Sequence, residues 1–150
     1  QEAIDQRIAF LTKHRIGVCD IVESAEREKI NASDLGMKNI KLRNLIQYLK
    51  KFPNVENLLF IGGNSKNGPE YFFRKHIKEY NIKLELVSNE IPRIHKFKLD
   101  DRVIQTVSLT SSSGSANRAI GSMPLYKKLK SRNPDFNTFD FRVMQYKNHI

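Results

Sequence analysis

The 150-residue chain reads as a single α/β domain built on a mostly parallel sheet. Three observations predict this class. Short apolar runs bounded by glycine, proline, asparagine or aspartate alternate with segments whose apolar residues recur every three to four positions. Apolar residues make up 39% of the chain, nine Phe and five Tyr among them, which excludes a disordered polymer. A chain of this length can bury roughly 70% of its unfolded surface, enough for one core. No repeat, low-complexity tract or internal linker divides it.

The elements follow in order. Ile4, Ile8 and Leu11 keep helical spacing and predict a helix over about residues 2–13. Ile16-Gly-Val-Cys-Asp-Ile-Val22 is an apolar run around one glycine, read as a buried strand or extended segment. A charged stretch from Glu23 to Lys29 leads into the turn-rich Asn31-Ala-Ser-Asp-Leu-Gly36. Leu42, Leu45, Ile46 and Leu49 mark a helix that Pro53 stops. Leu58-Leu-Phe-Ile61 is a compact buried strand, and Gly62-Gly-Asn-Ser-Lys-Asn-Gly68 is the loop after it. Pro69 then occupies a first helical position, and Phe72, Phe73, His76, Ile77 and Tyr80 share one face of the helix it opens. Ile82, Leu84 and Leu86 alternate as a half-buried strand does. Residues 97–109 read as a hairpin turning at Asp100-Asp101. Ser122 and Pro124 open a helix to about Arg132. Asn137 caps a last helix with Phe139, Val143 and Tyr146 inward.

Twenty-six Lys and Arg stand against sixteen Asp and Glu, a formal charge of +10, with a pI near 9.8. Such a balance is the electrostatic footprint of a polyanion binder. The single cysteine, Cys19, excludes a disulfide framework and a cysteine-based metal cluster. His14, His76, His95 and His149 lack metal-ligand spacing, and His76 on an aromatic helix face reads as a core histidine. No metal site is expected from these residues. No apolar run is long enough to span a membrane and no signal peptide is visible, so a reducing, cytoplasmic, nucleoid-associated setting is expected.

Residues 103–131 carry the most chemistry. The strand Val103-Ile-Gln-Thr-Val-Ser-Leu109 runs into Thr110-Ser-Ser-Ser-Gly-Ser-Ala-Asn-Arg118, a small hydroxyl-rich loop ending in a guanidinium. Backbone N–H groups, hydroxyls and one arginine together suit a phosphate or a nucleotide. Lys127, Lys128, Lys130 and Arg132 follow on one helix and can track a nucleic-acid backbone. The loop at 62–68 lies between strand and helix, where α/β folds bind ligands. It lacks the lysine and Ser/Thr of a P-loop, because Pro69-Glu70 follows Gly68. The consecutive serines sit in neither G-x-S-x-G nor Ser-x-x-Lys, which argues against a nucleophile. Asp20 reads equally as a site carboxylate or as a helix cap.

Taken in order, these segments resemble the uracil-DNA glycosylase superfamily, closest to its mismatch-specific and deoxyinosine-type members. Ile16–Val22 with Asn31-Ala-Ser-Asp-Leu35 resembles the family's second strand region. A helix at 40–51, a strand at 57–61 and the glycine-rich turn at 62–68 follow in the family's order. Ser111-Ser-Ser-Gly-Ser-Ala-Asn-Arg118 is similar to its late Pro/Ser-rich motif. The resemblance covers about residues 8–131. It implies a three-layer α/β/α sandwich around a small parallel sheet of four strands. It also implies hydrolysis of the N-glycosidic bond of a deaminated or mismatched base, flipped out of double-stranded DNA, without metal or cofactor. By resemblance Ser112, Ser113, Gly114, Ser115, Asn117 and Arg118 form the wedge and phosphate grip, helped by Lys127 and Lys128. Gly62, Gly63 and Asn64 flank the base pocket. The family's first motif, a Gly-x-x-Pro-Gly loop that supplies the water-positioning residue, belongs upstream of Gln1. The chain is therefore expected to be truncated at its N terminus, with its catalytic residue unassigned and Asp20 the sole candidate. A monomer acting alone is expected. Two rival readings remain open: a non-catalytic nucleic-acid-binding module on the same fold, and a nucleotide-binding α/β domain using the 62–68 loop.

Overall fold

The computed structural model describes residues 1–27 and 36–150. The elements are α1 (Glu2–Lys13), β1 (Val22–Arg27), β2 (Met37–Leu42), α2 (Leu45–Lys51), β3 (Asn57–Ile61), α3 (Pro69–Lys78), β4 (Glu85–Ser88), β5 (Arg93–Leu99), β6 (Arg102–Leu109), α4 (Asn117–Ser122), α5 (Pro124–Arg132) and α6 (Thr138–Lys147). The class is α/β, as expected. The sheet is mixed, not mostly parallel: its four strands lie in the order β3-β6-β5-β4, and only β3 and β6 run parallel. Connection length decides this. A two-residue turn at Asp100 and Asp101 pairs Leu99 with Arg102, and a turn that short can only reverse the chain. Asp100 adopts φ 55, a conformation that short polar side chains tolerate. The connection from β4 to β5 is likewise too short for a crossover.

One face of this sheet carries the main core. Phe97 pairs with Ile104, His95 with Thr106 and Arg93 with Ser108, so the face passes from apolar to polar toward the end of β6. Its apolar end packs Phe60, Phe97, Leu99 and Ile104 against Ile46 and Leu49 of α2 and Phe73 and Ile77 of α3. Asn44 caps α2 by accepting from the Gln47 N–H at 3.1 Å. At the other end of α2, Arg102 donates to the Leu49 carbonyl (2.7 Å), an acceptor that the helix terminus leaves open, and to the Val55 carbonyl (2.6 Å) in the segment after it. A second cluster, Ile120, Tyr126 and Phe141, joins α4, α5 and α6. Strands β1 and β2 form a separate antiparallel pair, Val22 opposite Leu42 and Arg27 opposite Met37.

Several elements differ from expectation. Residues 16–20 are irregular and largely exposed, Val18 at 76%, and the strand begins only at Val22. Leu42 ends β2, so the helix expected at 40–51 starts at Leu45, where Asn44 supplies a cap that the apolar spacing could not reveal. Leu45 is half-buried and Ile46 and Leu49 are the core residues. Tyr80 lies past the end of α3, half turned to solvent, with its hydroxyl on Asn44 (3.2 Å). The strand expected from Ile82 to Leu86 is β4 at Glu85–Ser88, and Leu86 is exposed. Ser122 does not cap α5; its hydroxyl donates to the Ala119 carbonyl at 2.8 Å, and Met123 stands at the N-cap. Asn137 does cap α6, in a reciprocal pair with Asp140, but the inward residues are Phe141 and Gln145 rather than Phe139 and Val143. The turn expected at 31–36 lies outside the described residues except for Gly36. Among the described residues no helix is long and apolar enough to cross a membrane.

Candidate nucleic-acid interface

Two loops leave the sheet side by side. Ile61 and Leu109, the last residues of the parallel strands β3 and β6, are direct partners, so the loops after them start from neighbouring strand ends. Open α/β sheets bind ligands at that edge. The open groove lined by Val55, Asn57, Val87, Lys96, Val103 and Gln105 lies at the other ends of β3 and β6.

The first loop is shaped by its glycines. Gly62 has φ 150, and a Cβ there would stand 2.8 Å from Cδ of Pro69. A Cβ at Gly68 would meet the Gly63 carbonyl oxygen at 2.7 Å. Only glycine lets the chain fold back this tightly before Pro69 opens α3. Of the residues expected to flank a base, Gly62 is buried in this turn while Gly63 and Asn64 are exposed.

The second loop is ordered by its own serines and by α6. The Ser111 hydroxyl accepts from the Ser113 N–H (3.1 Å), and the Ser113 hydroxyl accepts from the Ser115 N–H (3.3 Å) and meets the Ser115 hydroxyl at 2.9 Å. From α6, Arg142 donates to the Ser111 carbonyl, to Oδ1 of Asn117 and to the Ser113 carbonyl, each at 2.8 Å. Gln145 accepts from the Thr110 N–H at 2.7 Å, and the Tyr146 hydroxyl donates to the Thr110 carbonyl. Burial raises the Tyr146 hydroxyl above its ordinary pKa, against the opposing charge of Arg142, so this donor keeps its proton. Ser112, Ser113, Gly114, Ser115, Asn117 and Arg118 are all exposed. Asn117 is nonetheless engaged by Arg142, whereas the Arg118 side chain makes no hydrogen bond or ion pair among the described residues.

Arg118 lies in the first turn of α4, which packs on α5 and so ties the loop to the lysine-rich helix. Lys127 and Lys128 are exposed there. Lys130 is committed to structure, donating to the carbonyls of Pro134 (3.2 Å) and Phe136 (2.9 Å). Asp20 is exposed in the segment before β1, its carbonyl accepting from Nε of Arg43 at 2.8 Å. It caps no helix, because β1 follows it.

Just inside this edge lies a polar network that the sequence reading missed. The fully buried Glu70 receives Nε of Arg74 (2.8 Å), an Nη of Arg93 (2.6 Å) and the Ser108 hydroxyl (2.7 Å). Burial alone would raise its carboxyl, but the hydrogen bonds from Arg74 and Ser108 and the charges of Arg93 and Arg74 outweigh it and hold the group below its ordinary value. Arg74 also donates to Nε2 of His95 at 3.0 Å, which places the proton of a neutral His95 on Nδ1. Burial, together with Arg74 and Arg93, lowers His95, and burial lowers His76, against partial opposition from Glu70 and Glu79 respectively. His76 accepts the Ile46 N–H at 3.3 Å, joining α3 to the start of α2. Among the described residues no three His, Cys, Asp or Glu side chains group as a metal site.

The signs of these shifts agree. A group whose folded pKa is depressed leaves the unfolded chain holding more protons on acidification, so stability rises with pH through that window. Thermal stability should fall from about pH 6.5 downward as the unfolded chain's histidines charge, and fall again from the ordinary carboxyl range downward, where the unfolded chain's glutamate takes a proton before the folded Glu70 does. Scanning Tm from pH 8 to about pH 2 checks this. A flat profile between pH 7 and 5 would rule out neutral, buried His76 and His95.

Comparison of the chain with protein-family models, with curated proteins and with solved structures finds no match.

Proposed function

We propose that the chain is a DNA base-excision glycosylase domain of the uracil-DNA glycosylase type. It would grip double-stranded DNA carrying a deaminated or mismatched base and hydrolyse the N-glycosidic bond of the flipped nucleotide. One observation carries the reading: the 62–68 and 110–116 loops issue from the paired ends of β3 and β6, with the exposed Arg118 beside them. The charge of +10 supports it. In this reading Ser112, Ser113, Gly114 and Ser115 hold the strand and fill the gap left by the base, and Arg118, Lys127 and Lys128 take phosphates. Gly62, Gly63 and Asn64 flank the flipped base. Water adds to the sugar carbon as its bond to the base breaks, and the base leaves with a proton. The resemblance further implies that the sheet belongs to a three-layer sandwich.

A specific observation favours a second reading, a non-catalytic binding module. Neither loop contains an Asp or Glu to orient a water, and Glu70, which reaches Ser108 just before the end of β6, is spent on two arginines and a serine. A base-release assay separates the two. Labelled duplexes carrying G·U, G·T or hypoxanthine are incubated with the protein and treated with alkali. Cleavage establishes the glycosylase. Intact strands with tight, salt-sensitive binding leave the module, and binding no better than to a neutral polymer removes both.

Arg118→Ala should weaken duplex binding uniformly across sequences and lower the slope of log affinity against log salt by about 1. It should leave Tm almost unchanged, because an exposed charge contributes little to folding. Fluorescence anisotropy at several salt concentrations reads both effects. A large fall in Tm would mean that Arg118 holds the fold.

A further inference from the structure

The loop that meets DNA in this reading is held by more than its own serines; α6 anchors it from outside. We infer that Arg142 is the positioning residue of the 110–117 segment and that α6 presets the loop for the duplex. This inference rests on the nucleic-acid reading above.

The anchor uses every nitrogen of the guanidinium. The three nitrogens of one guanidinium each donate to a different acceptor of the segment, the carbonyls of Ser111 and Ser113 and the side chain of Asn117. A planar guanidinium spreads its donors over three nitrogens held in one plane, whereas an ammonium gathers its three on a single nitrogen. Gln145 and Tyr146, one turn further along α6, take the N–H and carbonyl of Thr110, so both backbone groups at the root of the loop are fixed as well. Phe141, buried at 2% exposure, docks the same helix on Ile120 and Tyr126. With Asn117 engaged from behind by Arg142, Arg118 is the next side chain along and remains exposed to solvent. Arg142 therefore acts through the loop and not on a phosphate.

A preset loop avoids the cost of ordering on binding. If loss of Arg142 leaves the binding shape populated about one-tenth of the time, apparent Kd rises about tenfold. The salt slope separates this role from a direct contact. Removing a phosphate contact lowers the slope by about 1, whereas removing an anchor raises Kd at an unchanged slope.

Wild type, Arg142→Ala, Arg142→Lys and Arg118→Ala are compared by duplex anisotropy at several salt concentrations, by Tm, and by amide hydrogen exchange at 111–117 without DNA. Arg142→Ala should speed exchange in the loop, raise Kd about tenfold and keep the wild-type slope. Arg142→Lys should recover only part of the affinity. Slope loss equal to that of Arg118→Ala would make Arg142 a phosphate contact, and unchanged exchange with unchanged Kd would remove the inference while wild-type binding upholds the nucleic-acid reading. Failure of the wild type itself to bind DNA would sink that reading instead, and the exchange data would then report the anchor alone. Should Arg142→Ala lower Tm sharply, Asn117→Ala tests one arm of the anchor, and unchanged Kd there would also count against it.

Discussion

Glu70→Ala should destabilise the protein by about 3 kcal/mol, the lower end of the range for breaking a buried ion pair. The carboxylate is fully buried and receives three donors, so its removal strands two guanidiniums and a hydroxyl at once. The cost stays at the lower end because Arg74 and Arg93 are each about one-third exposed, 34% and 31%, and can recover some hydration. Glu70→Gln keeps the volume and an acceptor while losing the charge, and should fall between wild type and alanine. Urea unfolding followed by circular dichroism at pH 7 measures both. A loss below about 1 kcal/mol would show that the arginines rehydrate fully and that the network stabilises no more than a surface pair does. The same experiment near pH 4 should narrow the gap between wild type and Glu70→Gln, because the unfolded wild-type chain is then taking up at Glu70 the proton that the folded carboxyl, with its lowered pKa, still refuses.

The network around Glu70 joins residues from three separate elements. Glu70 and Arg74 stand one helical turn apart, which by spacing alone is an ordinary surface pair. Arg93, His95, Thr106 and Ser108 occupy alternate positions in β5 and β6, in phase with Phe97 and Ile104. That phase placed polar residues on the core face. The alternation was visible, but the partner that neutralises it sits on a different element and is fixed by the β3-to-α3 connection. Helices with a proline or asparagine signal, α3 and α6, were legible at their starts, since those residues act locally. The Asp100 turn was legible for the same reason. Apolar spacing alone placed α2 three residues early, because Leu42 satisfies a helical period and a strand end equally. Of the site, the two loops could be read from composition. Their common origin at Ile61 and Leu109 could not, nor could the grip of Arg142, because both depend on contacts between residues far apart in the chain.

Phe73→Ala should cost about 3–5 kcal/mol, the range for truncating a fully buried aromatic ring. The Phe73 ring is entirely enclosed, with Phe60 at 5.2 Å and Phe97 at 5.5 Å between centroids, so one truncation removes two tilted ring pairs and leaves a void that three elements border. Those rings come from α3, β3 and β5, and their rigid secondary structures limit collapse into the void. Phe73→Leu, which keeps more of the volume, should cost well under half as much. Urea midpoints at constant m value check both, and equal costs for Leu and Ala would mean that the core repacks freely. Phe73 lies one turn along α3 from Glu70, so the two variants probe one question from its apolar and its polar end. Both residues fix α3 to the sheet, and releasing either end relaxes the other. In the mild pair Glu70→Gln and Phe73→Leu, the combined loss should therefore fall short of the sum by about 0.5 kcal/mol or more. Strict additivity would show instead that the polar network beneath the loops is held independently of the aromatic core, and that the sheet edge could be altered without disturbing the fold below it.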